Sequence, residues 1–120
     1  MAKILSVDDS RTIRQLVQAI LEKEGHEVVT AVDGIDALQI AREQKFDLVL
    51  TDINMPNMNG ISFVSKLRLI DGYATVPVVM LTTESSDFKK NKARSMGATG
   101  WLQKPFTPER LVNAVNRLVG

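Results

Sequence analysis

The stretch Leu48-Val49-Leu50-Thr51-Asp52-Ile53-Asn54-Met55-Pro56-Asn57-Met58-Asn59-Gly60 is a short apolar run that ends on an aspartate and opens into a loop of Pro, Asn and Gly. Three other apolar runs end in a comparable way. Asp8 and Asp9 close Ile4-Leu5-Ser6-Val7, Thr82 closes Val78-Val79-Met80-Leu81, and Lys104 follows Gly100-Trp101-Leu102-Gln103. In an open α/β sheet, ligands bind outside the carboxyl ends of the parallel strands. Polar residues scattered along most of the chain would therefore converge on one crevice.

Helical patterns separate these runs. Ser10 is placed to cap a helix whose apolar face is Ile13, Leu16, Val17, Ile20 and Leu21, with Gly25 as its stop. Glu27 to Ala31 reads as a short strand, Asp33-Gly34 as a turn, and Ile35, Leu38 and Ala41 as the inner face of a second helix. A third helix follows Gly60 with Ile61, Val64 and Leu67 inward, and Pro77 introduces the fourth strand. The segment Ser85 to Met96 has helix caps but only Phe88, Ala93 and Met96 as apolar contacts, so it is expected to be the loosest helix. Thr107 caps a last helix, with Pro108 at its first position and Leu111, Val112, Val115, Leu118 and Val119 as its buried face. Strands alternating with helices of this length imply parallel crossovers and a five-stranded sheet covered on both faces.

A length of 120 residues with 44% apolar content suits one domain, expected to span residues 1–120. Fifteen basic against 14 acidic residues leave a net charge of +1, which does not fit a nucleic-acid binder. There is no cysteine, hence no disulfide framework and no thiolate metal site. The N-terminal run meets Asp8 too soon for a signal peptide, and no apolar stretch approaches the ~20 residues of a membrane span. A cytoplasmic protein with no membrane contact is expected.

Three carboxylates in one crevice repel one another, each pair by ~1 kcal/mol in water and ~4 kcal/mol at an intermediate effective dielectric if about 4 Å apart. Such a cluster implies a cation. Hard oxygen donors without His or Cys suit Mg²⁺, with Asp9 and Asp52 as direct ligands. A phosphoryl donor held in line with a further carboxylate oxygen invites attack, and aspartate can form an acyl phosphate; Asp52 is the candidate nucleophile. Lys104 would neutralise the transferred group, and the Thr82 hydroxyl would donate a hydrogen bond to one of its oxygens.

Each of these residues has a plainer reading when taken alone. Asp8 and Asp9 could be helix-start carboxylates, Asp52 a turn residue, Thr82 a cap and Lys104 a surface lysine. All four positions at strand carboxyl ends together are a poor accident. His26 follows a helix-ending glycine and reads as exposed, and Lys89-Lys90-Asn91-Lys92-Ala93-Arg94 reads as a solvated face or a docking surface.

Asp8-Asp9-Ser10, the run Asp52 to Gly60, Leu81-Thr82-Thr83-Glu84, and Gly97 to Phe106 with its Lys104-Pro105-Phe106 together resemble a two-component response-regulator receiver domain. Within that family the whole chain is similar to single-domain chemotaxis regulators. The resemblance implies a flavodoxin-like sheet of order 2-1-3-4-5 flanked by five helices. It also implies that Asp52 takes phosphate from a histidine kinase and that Mg²⁺ is held by Asp8, Asp9, Asp52 and the Asn54 backbone carbonyl, Asp8 acting partly through water. By the same resemblance Thr82 and Trp101 form a switch, Asn54 and Glu84 tune dephosphorylation, and Lys104-Pro105 is a cis peptide. Trp101 departs from the usual pattern, since receivers generally carry Tyr or Phe there; its plain reading is a core aromatic.

An aspartate-based phosphatase or mutase would carry its nucleophile after the first strand with a second Asp two residues on, whereas here Asp52 follows the third strand and is followed by Asn54. A flavodoxin-like FMN binder would need a Ser/Thr/Gly-rich phosphate cradle where this chain has Asp8-Asp9. A receiver serving as phosphorelay shuttle, phosphate sink or non-motility module differs from a chemotaxis regulator only in its partners. The expected output is a phosphorylation-dependent surface of a monomer, formed by the Ser86 to Met96 helix, the strand of Trp101 and the last helix. Its expected partner is a flagellar motor switch protein, with a chemotaxis kinase as donor.

Overall fold

The apolar runs carry consecutive, not alternating, apolar residues because both faces of their sheet are covered. A computed structural model describes residues 1–83 and 85–119. The element order is β1 (Lys3–Val7), α1 (Arg11–Lys23), β2 (Glu27–Ala31), α2 (Gly34–Glu43), β3 (Leu48–Thr51), α3 (Gly60–Leu67), β4 (Val78–Thr82), α4 (Asp87–Ser95), β5 (Gly100–Gln103) and α5 (Pro108–Val119). The strands form one sheet in the order β2-β1-β3-β4-β5, every pair parallel. This is the five-stranded parallel sheet expected from the pattern, in the flavodoxin-like order that the resemblance implies.

Successive side chains in a strand point to opposite faces, and the core divides accordingly into two layers. Leu5, Val7, Val49, Val78 and Met80 join Ala37, Leu38, Phe63, Val64, Leu67 and Ala93 on the side of α2, α3 and α4. Ile4, Leu48, Leu50, Val79 and Leu81 join Val17, Leu21, Leu111 and Val115 on the side of α1 and α5. Neighbouring residues such as Leu48 and Val49 thus serve different cores.

The helices start where cap chemistry puts them. The side chains of Ser10, Asp33, Asn59 and Ser86 accept the backbone N–H three residues on, which satisfies a donor the helix cannot pair itself. Thr107 Oγ1 does the same for Arg110 N–H at 3.2 Å, ahead of Pro108.

The apolar faces are narrower than the periodicity predicts. Leu16 (43% exposed) and Ile35 (54%) point away from the core, while Ala37, not assigned by the pattern, is fully buried. In α4 only Ala93 is buried; Phe88 and the C-cap residue Met96, read as contacts, are 75% and 41% exposed. Val112, Leu118 and Val119 are partly buried beside Leu111 and Val115. His26 is not simply exposed: it is half-buried, and its Nδ1 accepts the Ala2 N–H at 3.0 Å.

Candidate functional site

From β1 the chain crosses to β2 on one side and then to β3 on the other, so the carboxyl ends of β1 and β3 flank the point where the strand order reverses. The residues after those two strands are Asp8 and Asp52. Register fixes their approach: Val7 pairs with Thr51, and the Asp52 N–H donates to Val7 O at 3.0 Å. On the other flank Thr82 pairs with Gln103, and the Lys104 N–H donates to Thr82 O at 2.8 Å. Four strands therefore deliver Asp8, Asp52, Thr82 and Lys104 to one edge, as the sequence led us to expect.

The Asp52 carboxylate is fixed on both oxygens. Oδ1 accepts the Ile53 N–H at 2.7 Å and the Asn54 N–H at 3.4 Å, and Oδ2 accepts from Lys104 Nζ at 3.0 Å. The same ammonium donates to Asp8 Oδ2 at 2.5 Å, while Asp8 Oδ1 accepts the Ser10 N–H at 2.9 Å. Asp8 and Asp52 are buried, Asp9 is exposed, and one carboxylate oxygen of each lies within 4.8 Å of the others. Asn54 is exposed at the rim. Lys104-Pro105 is a cis peptide.

The electrostatics follow from one lysine serving two buried acids. Burial pushes the Asp8 carboxyl above its ordinary value, against the hydrogen bonds from Lys104 and Ser10. Burial alone would depress the Lys104 ammonium, but its hydrogen bonds to Asp8 and Asp52 override this and hold it above the usual lysine range. Three hard oxygen donors in reach of one point, with no imidazole or thiolate among them, match the preference of Mg²⁺.

Thr82 is fully buried at the end of β4. Trp101, opposite Met80 in β5, is half-buried against the α2–α3 side of the core with the Lys90 ammonium 5.3 Å from its ring centre. Its buried Nε1–H finds no acceptor among the described residues. Glu84, expected from the resemblance to tune dephosphorylation, lies outside the described residues.

Two features escaped the sequence reading. Gly60 begins α3 directly over the Asp52 carbonyl, where a Cβ would stand 1.9 Å from that oxygen; its signal was the Asn59-Gly60 pair closing the loop. The basic run of α4, read as one surface, divides instead between two sides of the helix. Lys89 and Lys92 line a cavity with residues of the β3–α3 loop and α3, whereas Lys90 and Arg94 stand beside Trp101. A wider cleft of about 610 Å³ lies between α1 and α5, and no residue of the acidic crevice lines it.

Comparison with known proteins agrees with this geometry. The response regulator receiver domain family matches residues 4–116. The chain is 38% identical over 119 residues to the protein PilH of Pseudomonas aeruginosa, covering 99% of this chain and 98% of that protein. Its structure resembles that of the chemotaxis protein CheY4 of Vibrio cholerae with a TM-score of 0.95 at 48% identity, covering 98% of each chain. It also resembles the receiver domain of the sensor histidine kinase PA1611 of Pseudomonas aeruginosa (TM-score 0.91, 28% identity, 99% and 98% coverage), in which a magnesium ion is coordinated in the active-site cleft. Some matched relatives are longer, and the chain spans only 45% to 56% of them. Since the match runs from β1 into α5 and takes in every strand end that bears the clustered side chains, the chain belongs to the response regulator receiver domain family.

Proposed function

We propose that this chain, read as one receiver domain over residues 1–120, accepts a phosphoryl group on Asp52 from a histidine kinase in a Mg²⁺-dependent reaction and signals through phosphorylation-dependent partner binding. The observation that carries the proposal is the fixed Asp52 carboxylate, oriented by two backbone N–H groups and faced by Lys104, with carboxylate oxygens of Asp8 and Asp9 close by. Receiver domains are phosphoacceptor signalling proteins. An Asp52 oxygen forms a bond to phosphorus as the bond to the donor's leaving group breaks, and the electron pair departs with that group. Lys104 offsets charge on the phosphoryl oxygens, and Thr82 donates to one of them. Asp8, Asp9, Asp52 and the Asn54 carbonyl would hold Mg²⁺, which when bound neutralises carboxylate and phosphoryl charge. Asn54 and Glu84 set the access of hydrolytic water, Thr82 and Trp101 report the phosphorylated state, and the protein catalyses its own dephosphorylation in the cytoplasm.

Intact-mass spectrometry with acetyl phosphate and Mg²⁺ tests the chemistry. One phosphoryl adduct is expected on the parent and none on Asp52→Asn; an undiminished adduct on the variant would overturn the assignment. For the pathway, the likeness to the chemotaxis protein CheY4 supports chemotaxis with a flagellar motor switch protein as target, the other reading being a phosphorelay shuttle, phosphate sink or non-motility module. Capture of a switch protein by the beryllofluoride-activated chain, absent with Asp52→Asn, separates the two.

A further inference from the structure

The loop between β3 and α3 must hold still, because its first two backbone N–H groups orient the Asp52 carboxylate. The Ile53 N–H is close, at 2.7 Å from Asp52 Oδ1, whereas the Asn54 N–H is long, at 3.4 Å. A small excursion of the loop would therefore lose the second bond. At its base the loop is closed by the Gly60 N–H, which donates to Ile53 O at 2.7 Å. Its tip carries Asn57 at a φ of 69°, a left-handed backbone that costs energy in a residue with a side chain, though less in Asn and Asp than in others. Such a conformation persists where its surroundings hold it.

Two contacts hold that tip to the start of α2. Asn57 Nδ2 donates to Asp33 Oδ2 at 2.9 Å, and the Met58 side chain lies on Gly34, where an added Cβ would stand 3.0 Å from its sulfur. The mount is stiff. Asp33 Oδ1 accepts the Asp36 N–H at 2.8 Å while Asp36 Oδ2 accepts the Val32 N–H at 3.1 Å, so the turn into α2 is tied in both directions. Ala37, Leu38 and Ala41 then anchor the helix in the core. Asp33 thus gives one oxygen to its own helix and the other to the loop of Asp52. We infer that Asn57, held by Asp33, is a positioning residue for phosphoryl transfer: the bridge to α2 keeps the β3–α3 loop in the form in which Asn54 turns its N–H to the Asp52 carboxylate and offers its carbonyl for Mg²⁺. The inference rests on the assignment of Asp52 as phosphoacceptor, but the loop geometry it invokes can be read without phosphate.

Exchanging the two partners tests the bridge. Asn57→Asp sets two carboxylates against each other at a left-handed position that Asp tolerates. Adding Asp33→Asn restores an amide–carboxylate pair with the roles reversed, and Asn caps a helix as well as Asp does. Three quantities are measured on the full chain, with circular dichroism showing that each variant is folded: the rate of adduct formation from acetyl phosphate by intact mass, the Mg²⁺ dissociation constant by calorimetry, and the amide NMR shifts of Ile53 and Asn54 without metal or phosphate. Asn57→Asp should form the adduct about fivefold more slowly, bind Mg²⁺ about threefold more weakly and move the Asn54 amide. The exchanged pair should bring rate and affinity back to within about twofold of the parent and return the amide to its parental shift. The Mg²⁺ constant separates position from charge, since an added carboxylate acting through its charge alone would tighten binding. Parent-like values in Asn57→Asp would overturn the inference, as would tighter Mg²⁺ binding or a loss that the exchanged pair fails to restore. If the parent itself takes no phosphoryl group, the Asp52 assignment falls, and the Mg²⁺ constant and the amide shifts still decide the bridge.

Discussion

Lys104 and Asp8 are displaced in the same direction from their ordinary values, and the two shifts have opposite meanings. The lysine's charged form is favoured by the fold because two carboxylates surround it, whereas the ionised Asp8 is disfavoured because burial outweighs its half-share of one ammonium. Asp8→Asn is therefore expected to unfold at a higher urea concentration than the parent in EDTA, even though it breaks an ion pair. With Mg²⁺ at ten times its dissociation constant the parent should gain about 1.4 kcal/mol by mass action, and Asp8→Asn much less. Equal gains in both proteins would remove Asp8 from the metal-binding set. Lys104→Met should move the other way, losing about 3 kcal/mol in EDTA because two buried carboxylates are left without a cation. A loss under about 1 kcal/mol would mean that water already screens the crevice.

At the level of elements, starts were more legible in the sequence than faces. Ser10 and Thr107, read as caps, act within their own helix turn, so their chemistry needs no tertiary information, and Asp33 and Asn59, read only as turn and loop residues, cap their helices in the same way. Whether Leu16 or Ile35 is covered depends on what packs against the helix, and periodicity cannot supply that. Asp33 allows a pH test. Hydrogen bonds from the Asp36 N–H (2.8 Å) and then Asn57 Nδ2 (2.9 Å) hold its carboxyl below the ordinary 3.8. A depressed carboxyl stabilises the fold above its unfolded value and loses that contribution as pH falls through the folded one. Asp33→Ala should thus cost about 1 kcal/mol near neutrality, and the gap from the parent should narrow below pH 3.8. A gap constant down to low pH would assign the effect to the helix cap's shape and not its charge. At Gly60 the constraint is steric: Gly60→Ala forces a methyl group onto the Asp52 carbonyl, and a loss of about 3 kcal/mol or more is expected in denaturant unfolding. Parent-like stability would show that the loop shifts freely.

Across the whole molecule, the crevice could be read in the sequence because all five strands are parallel, so every residue just past a strand's carboxyl end arrives at the same edge whatever the helices do. Contacts between distant segments could not be read in this way. Arg68 donates to the carbonyls of Tyr73 (2.8 Å), Val76 (2.5 Å) and Gly97 (2.6 Å), joining the end of α3 to the approach of β4 and the turn after α4, and nothing in its local sequence marks it. The division of the α4 lysines is likewise set by which neighbours the helix meets. Such contacts bear on how an event at Asp52 would reach the surface. Thr82 is fully buried, its carbonyl is tied to the Lys104 N–H, and Trp101 sits one strand over opposite Met80. If Thr82 moves toward a phosphoryl group, the β4–β5 pair offers a route by which the change reaches Trp101, opposite Met80. Since Trp101 is the only tryptophan, beryllofluoride with Mg²⁺ should change its emission or quenching, through a coupling of about 1–3 kcal/mol between site and surface. Thr82→Ala should still bind the mimic but lose most of the optical change, and Lys90→Ala should alter the starting spectrum by removing the cation from the ring face. Spectra unchanged by the mimic in the parent would make Trp101 a core aromatic with no part in the response.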